Sequence, residues 1–353
     1  MKSFCTVSTR SHLPFARALA DSLRAAGNPE VLHVLITDLV GGEPPPSGGG
    51  LRFVALDELA DAGPPLMRWY FDAFEFCNAL KPFLVSHLFA QHHERVICLD
   101  VDLLVTGSFS EVWDQMESAP LLLTPHQLVP PPLSITHTTE IDIVDQGLLN
   151  GGFAAWRRCP ESVEMLNWLR TRLPVYGFCD RPHGMFVDQK LLPLLPHYFP
   201  RHVEICRDPR LNIAFWNVHE RAVAQCDDAR WEIDGSPVVF FHLSGYRLER
   251  PGVVCTYMSA EANAAVLANA PWLAAVLARY HQGVAVHVTG SPPAPYPFKT
   301  FDGVKLTKEF RRLLFTRGRL DRGDPAFRRV WIREKLRTLK RTVTRFLPDW
   351  LAR

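Results

Sequence analysis

Short apolar runs alternate with longer stretches of helical spacing along the first half of the chain. "SFCTVST" reads as a strand, and the polar turn after it opens "HLPFARALADSLRAAG", whose apolar residues recur at helical intervals up to Gly27. "EVLHVLITDL" reads as a buried strand, and "LRFVALDEL" is a third apolar run beyond the loop "GGEPPPSGGG". "MRWYFDAFEFCNALKPFLVSHLFAQHH" has helical spacing with a break or kink expected around Pro82, and "RVICLDVDLLV" is the next strand. Strands that alternate with helices imply an α/β layer fold on a mostly parallel sheet. Such sheets bind ligands at the carboxyl ends of their strands.

The second half is less regular. "LLLTPH" predicts a strand that runs into a Pro-rich loop from Leu128 to His137, and "LLNGGFAAWRR" a strand entered through a Gly turn. "SVEMLNWLRTRL" and "FVDQKLLPLLPHYF" read as helices, and "PVVFFHLSGY" as a late buried strand. Residues 291–304 form a Pro-rich linker between one domain, residues 1–290, and a helical tail, residues 305–353. No internal repeat is visible.

Composition narrows the class. With 353 residues and 47% apolar content the chain can bury a substantial core. No run approaches the ~20 apolar residues of a membrane span, and "MKSFCTVSTRSHLPFARAL" does not read as a signal peptide. The eight cysteines are scattered without a CxxC pair, which favours reduced thiols and a cytoplasmic setting over a zinc ribbon or disulfide scaffold. The net charge of +2 conceals a division, because from Lys299 onward 17 Lys and Arg face only 6 Asp and Glu. The body is therefore acidic and the tail basic.

The candidate chemistry begins with "ICLDVDLLV", where Asp100 and Asp102 interrupt a core-grade strand. Desolvating either carboxylate unpaired would cost several kcal/mol, roughly, unless a cation sits beside it. Residues two apart on an extended strand share a face, so the two can converge on one divalent cation; oxygen ligands favour Mg²⁺ or Mn²⁺. The same pair also fits two solvated aspartates at a strand end. The order of the surroundings adds to the picture: "LLNGGF", "DQK" and "FFHLSG" follow in turn.

This ordered set resembles the GT-A glycosyltransferases, specifically the family 8, glycogenin-like and lipopolysaccharide-galactosyltransferase-like group. It is most similar to a bacterial branch carrying "EFCNALKP", "TPH" and "NIAFWN". The resemblance covers about residues 1 to 250. It implies a Rossmann-like GT-A fold, with Asp100, Asp102 and His242 of "HLSG" holding the metal, and the imidazole favouring Mn²⁺ over Mg²⁺. Val101, between the aspartates, falls among the implied nucleotide-binding residues, as does Gly245, where backbone could approach the diphosphate or simply turn. Thr6, Ser8 and Thr9 sit where the family's first strand meets the nucleotide, and Asp38 ends the second strand; turn capping explains these four equally well. Lys81 would reach the diphosphate as a point charge, or be a solvated surface lysine.

The resemblance also places Asn150 against the donor sugar, with Gly151 and Gly152 keeping the backbone close. Asp188 and Gln189 match the first two positions of the family's "DQD" and would contact sugar hydroxyls and the anomeric face. Two departures stand out: Lys190 fills the third position, and "HLSGYRLERP" lacks the lysine and tryptophan of the family's "HxxGxxKPW". Arg247 or Arg250 is a candidate for the missing cation.

The expected activity is therefore metal-dependent transfer of a sugar, with retention, from a nucleotide-diphosphate sugar (UDP foremost) to an acceptor hydroxyl on a glycan, lipid-linked or other acceptor. A sugar nucleotidyltransferase is the alternative enzyme, although "TVSTRSHLPF" lacks the glycine-rich phosphate loop such enzymes carry. A degenerate transferase domain serving as a binding or scaffold module is the non-enzymatic alternative. Nucleic acid is not an expected partner, since no aromatic-studded motif accompanies the basic tail. In that tail Ile332, Leu336, Leu339, Val343 and Phe346 trace one helical face, flanked by Arg and Lys. That pattern fits either a final helix packed on its domain or an interfacial helix on an anionic membrane.

Overall fold

A computed structural model describes residues 1–39, 50–59, 61–135, 137–227, 229–289, 296–301, 304–317 and 328–336. Its centre is a seven-stranded sheet. The strands, in chain order, are β1 (Lys2–Ser8), β2 (Leu32–Ile36), β3 (Leu51–Ala55), β4 (Arg95–Leu99), β6 (Leu121–Pro125), β7 (Leu149–Arg157) and the Val203–Ile205 strand; β5 (Leu103–Val105) lies outside it. Across the sheet they run Val203–Ile205, β6, β7, β4, β1, β2, β3. Every pairing is parallel except those of β7, which runs against both β4 and β6. The mostly parallel α/β sheet expected from the alternation is what forms.

Period-two alternation divides the core between the two faces of the sheet. Cys5, Val7, Cys98, Leu121, Leu123, Ala154 and Trp156 pack on one face with the helix Ala73–Ala90 and the helix Pro160–Tyr176. Phe4, Ile97, Leu99, Leu122, Phe153 and Ala155 pack on the other, with α1 (Leu13–Ala25) and the Phe109–Trp113 segment. A third cluster joins α1, through Ala18, to the helices Ala260–Asn269 and Leu273–Ala285. All eight cysteines are free thiols. No helix among the described residues is long and apolar enough to cross a membrane.

Three local expectations change. The helix Ala73–Ala90 runs through Pro82, and the break falls earlier, between Met67–Tyr70 and Ala73. Asp72 causes it: its carboxylate accepts the Glu75 N–H while Glu75 accepts the Asp72 N–H, a capping box that starts a new helix there. The glycines of "LLNGGF" lie inside β7 and not in a turn ahead of it. The "FVDQKLLPLLPHYF" stretch yields only a 3₁₀ turn, Asp188–Lys190, and the short helix Leu194–Tyr198, because Pro193 and Pro196 deny it backbone donors.

The region beyond residue 296 is partly built into the body. The helix Lys308–Arg317 inserts Phe310 and Leu314 into the first core cluster, and Val330 and Trp331 pack against that cluster. Arg311, 8% exposed, donates to the carbonyls of Trp69, Phe71 and Phe298. Residues 328–336 are helical, with Ile332 and Leu336 exposed; Leu339, Val343 and Phe346 lie outside the described residues, as do residues 291–295, 302 and 303 of the linker and 41–49 of the "GGEPPPSGGG" loop.

Arg311 satisfies three carbonyls at the seam between this helix and the Trp69–Phe71 break, so Arg311→Met would leave them without a donor. The expected cost is about 2–3 kcal/mol of unfolding free energy, read from urea denaturation. An unchanged midpoint would mean that the seam contributes little to the fold.

Candidate functional site

The aspartate pair does not sit in the middle of a strand. β4 ends at Leu99, residues 100–102 form the exit turn, and β5 begins at Leu103. The carboxylates thus stand at the carboxyl edge of the parallel sheet, 30% and 29% exposed at the side chain. They converge from a turn, not from one face of an extended strand. β5 then pairs antiparallel with the Phe240–His242 strand, His242 opposite Leu103, and the Leu243 N–H donates to the Asp102 carbonyl at 2.8 Å. That pairing brings His242 Nε2 to 3.3 Å from Asp102 Oδ1. One donor atom each from Asp100, Asp102 and His242 fall within 4.8 Å of one another. Two carboxylate oxygens and an imidazole nitrogen suit a divalent cation such as Mn²⁺, and an ion there would relieve the repulsion between the acids.

Lys81 organises the other side of Asp100. The residue is 9% exposed on the helix Ala73–Ala90, and its ammonium lies 2.8 Å from Asp100 Oδ1 and 3.5 Å from Asp188 Oδ2 and donates to the Gly151 carbonyl at 2.8 Å. Burial alone would lower its pKa; the two carboxylates outweigh burial and hold it above the ordinary lysine value. Lys81 is thus a buried, three-way-bonded cation and not a solvated lysine. Burial pushes the Asp188 carboxyl up, Lys81 pulls it part of the way back, and Asp100 adds to the rise. Asp188 Oδ1 is buried without a hydrogen-bond partner.

β7 passes close to both groups because it carries two glycines. A Cβ on Gly151 would lie 2.8 Å from Asp188 Oδ1, and one on Gly152 would lie 2.4 Å from His242 Cε1. The Gly152 carbonyl accepts the Asp100 N–H at 3.0 Å, which ties the strand to the turn. Asn150 and Gln189 interlock beside them. Asn150 Oδ1 accepts from the Gly152 N–H, its Nδ2 donates to Gln189 Oε1 and meets His126 Nε2, and Gln189 Oε1 also accepts from the Gly151 N–H. Burial pushes His126 down to about 4, so its ring is neutral. Val187, ahead of Asp188, is a β-branched residue at φ 43°, a strained backbone that turns Asp188 inward.

The remaining expected residues scatter more widely. Ser8 and Thr9 end β1, where the Thr9 hydroxyl meets Ser11 and His12; Thr6 is fully buried within the strand, its hydroxyl without a partner. Asp38 is 1% exposed and accepts the Arg10 N–H at 2.8 Å, a turn-fixing role. Gly245 adopts φ 76°, where a Cβ would lie 2.6 Å from Cys255 Sγ. Lys190 Nζ donates to the Val144 carbonyl at 2.6 Å, and Arg247 and Arg250 are exposed. Sequence reasoning assigned no role to His126, Asn212 or Trp216; the "TPH" and "NIAFWN" stretches that hold them were the available signal. A hollow of about 340 Å³ lies elsewhere, lined by residues such as Leu267, Leu277 and His281 and by none of the acidic cluster.

Fold and site together define an α/β chain with an acidic, histidine-bearing centre at the carboxyl edge of its sheet. No family model matches the chain. Two curated proteins of Bacillus subtilis (strain 168), both named as uncharacterized, are similar in sequence. YfnD is 26% identical over 275 residues, covering 74% of this chain and 84% of YfnD. YfnF is 27% identical over 181 residues, 50% of this chain, and the match spans 58% of the length of YfnF. Among solved structures, mouse xyloside xylosyltransferase 1 superposes with a TM-score of 0.40 at 16% identity, covering 69% of this chain and 97% of that one. The galactosyltransferase LgtC in complex with donor and acceptor sugar analogues superposes with a TM-score of 0.41 at 16% identity, covering 78% of this chain and all of LgtC (100%).

The Lys81 cluster yields a pH prediction. Because the folded-state pKa of Asp188 is raised, the stability it contributes is fully present at acid pH and is lost as pH rises through that pKa. Removing Lys81 takes away the group that restrains the rise. Lys81→Met is expected to cost about 3 kcal/mol near neutral pH and distinctly less where Asp188 is protonated. Urea unfolding of the metal-free protein from about pH 7.5 down to about pH 3, below the ordinary aspartate value, checks it; a cost independent of pH would mean that the charge pairing is not what the lysine supplies.

Proposed function

We propose that this chain is a metal-dependent glycosyltransferase that moves a sugar from a nucleotide-diphosphate sugar, UDP foremost, to an acceptor hydroxyl. The observation that carries the reading is the convergence of Asp100, Asp102 and His242 at the carboxyl edge of the sheet, next to a buried and partly unsatisfied Asp188. Cleaving a sugar–diphosphate bond builds negative charge on the leaving phosphate and positive character on the sugar. Asp100, Asp102 and His242 would hold a Mn²⁺ or Mg²⁺ ion, which when bound supplies countercharge for the diphosphate. Asp188 Oδ1 supplies the acceptor that a sugar hydroxyl can satisfy, and its charge faces the developing cation. Asn150 and Gln189, bonded to each other and to the Gly151 and Gly152 amides, keep that wall of the site in place. On this reading Ser8, Thr9 and Asp38, at or just beyond the ends of β1 and β2, would line the nucleotide, although the Asp38 carboxylate is already engaged by the Arg10 N–H.

The same reading includes retention of anomeric configuration and an acceptor in cell-surface polysaccharide or glycoconjugate synthesis. It also includes a peripheral hold on anionic membrane through the tail, for which the exposed Ile332 and Leu336 are the support.

Mn²⁺-dependent hydrolysis of a panel of nucleotide sugars without acceptor tests the activity. EDTA is expected to abolish it, and Asp102→Ala to lower it at least ~100-fold while the unfolding transition survives. Full turnover in EDTA would sink the metal-dependent reading, and formation of sugar 1-phosphate and nucleoside triphosphate only when pyrophosphate is added would favour a nucleotidyltransferase. For an α-linked donor, NMR of the early product should show an α-glycoside; a β-linked product would recast Asp188 as a general base.

For the tail, the full chain is expected to sediment with vesicles containing phosphatidylserine in a salt-sensitive manner. Lys340→Gln with Arg341→Gln should weaken that binding by about 2 kcal/mol, roughly thirtyfold. Equal binding by the double variant, or none by the parent chain, would leave the tail as ordinary structure.

A further inference from the structure

The segment Asn212–Asn217, "NIAFWN", has no part in the chemistry described so far, yet it surrounds His242. Ile213 bridges the strand Phe240–His242: its N–H donates to the Phe240 carbonyl at 3.2 Å, and its carbonyl accepts the His242 N–H at 2.8 Å. Asn212 is thereby set beside the imidazole, and its Oδ1 lies 3.0 Å from His242 Nδ1. The side chain is fully buried and its Nδ2 has no partner, so His242 is its one hydrogen-bonded contact among the described residues. Its backbone is left-handed at φ 56°. Asn217 holds that turn, donating to the carbonyls of Asn212 and His126 and accepting the Ala214 N–H. Trp216 stands edge-on against His242, the ring centroids 5.0 Å apart. A buried amide in a strained backbone, with a donor left unpaired, detracts from stability, and its single bond points at one ring nitrogen.

That nitrogen decides whether the histidine can bind a cation. A neutral imidazole carries one proton, and only the other nitrogen offers a lone pair. Asp102 Oδ1, 3.3 Å from Nε2, draws the proton to the nitrogen that faces the cluster, which is the wrong one for ligation. Asn212 Oδ1 is the competing acceptor at Nδ1. We propose that Asn212 is the positioning residue of the metal centre: it accepts the Nδ1–H of His242, leaves the Nε2 lone pair for the cation, and fixes the ring plane against Trp216. The inference rests on the metal-site reading of Asp100, Asp102 and His242.

Two substitutions separate the acceptor from the backbone, since Gly and Asp both tolerate a left-handed φ and only Asp retains the acceptor oxygen. Free Mn²⁺ measured by electron paramagnetic resonance should show Asn212→Gly binding Mn²⁺ roughly 10–100-fold more weakly than the parent chain. Asn212→Asp should stay within about threefold of it or bind tighter. Independently of any variant, ¹⁵N NMR of the Mg²⁺-loaded chain should place the His242 proton on Nδ1. Parent-like affinity in Asn212→Gly, an equal loss in Asn212→Asp, or a proton on Nε2 would overturn the assignment while the metal site itself stood. A parent chain that binds no Mn²⁺ would overturn both.

Discussion

The ammonium of Lys81 is the interaction on which the candidate site depends. It reaches Asp100 from the exit turn of β4, Asp188 from the 3₁₀ turn after Val187, and the Gly151 carbonyl of β7. These groups come from sequence positions far apart, and no backbone pairing joins the Asp188 turn to the β4 turn directly. A buried cation bonded to all three forces them into one arrangement, because any departure leaves a charge desolvated without a partner. The lysine is therefore structural first. Its charge is already met inside the fold by two carboxylates and a carbonyl.

The second constraint is steric. β7 runs antiparallel within a sheet that is otherwise parallel, and its two glycines let it lie against Asp188 on one side and His242 on the other. With a methyl group at position 152 the imidazole would have to move, since the contact of 2.4 Å leaves no room for adjustment. The glycines thus serve closeness of approach, and not freedom of φ: neither Gly151 nor Gly152 is in the left-handed region.

Much of this was legible before the structure. The alternation of apolar runs with helical spacing fixes a mostly parallel sheet, and an Asp-x-Asp at the end of a strand in such a sheet falls where ligands bind. His242 was legible only through the order of motifs, because nothing local marks it as different from any histidine closing a strand. The short Phe240–His242 pairing with β5, which brings it to Asp102, is a contact across more than a hundred residues of chain. The solvated-lysine alternative for Lys81 fails for a related reason: its neighbours in sequence make it a helix residue beside a proline, while the partners the structure gives it belong to other elements. The tail was legible as amphipathic, but periodicity could not say which apolar residues dock. Val330, Trp331, Phe310 and Leu314 do, and Ile332 and Leu336 do not.

Charge counting ties the centre to the kind of ligand it can accept. Asp100, Asp102 and Asp188, when ionised, bring three negative charges to a region where the nearest buried cation is Lys81. With His242 neutral the cluster is left short of two positive charges, and one divalent ion makes up that difference. A monovalent ion would leave the acids repelling one another, and a bare diphosphate would add to the excess and be rejected. By this count a divalent cation can occupy the centre by itself, and under the proposed reading a diphosphate is admitted only once the cation is in place. The neutral tautomer of His242 is what makes the count work, since an imidazolium would supply one of the missing charges and block the nitrogen that the ion needs.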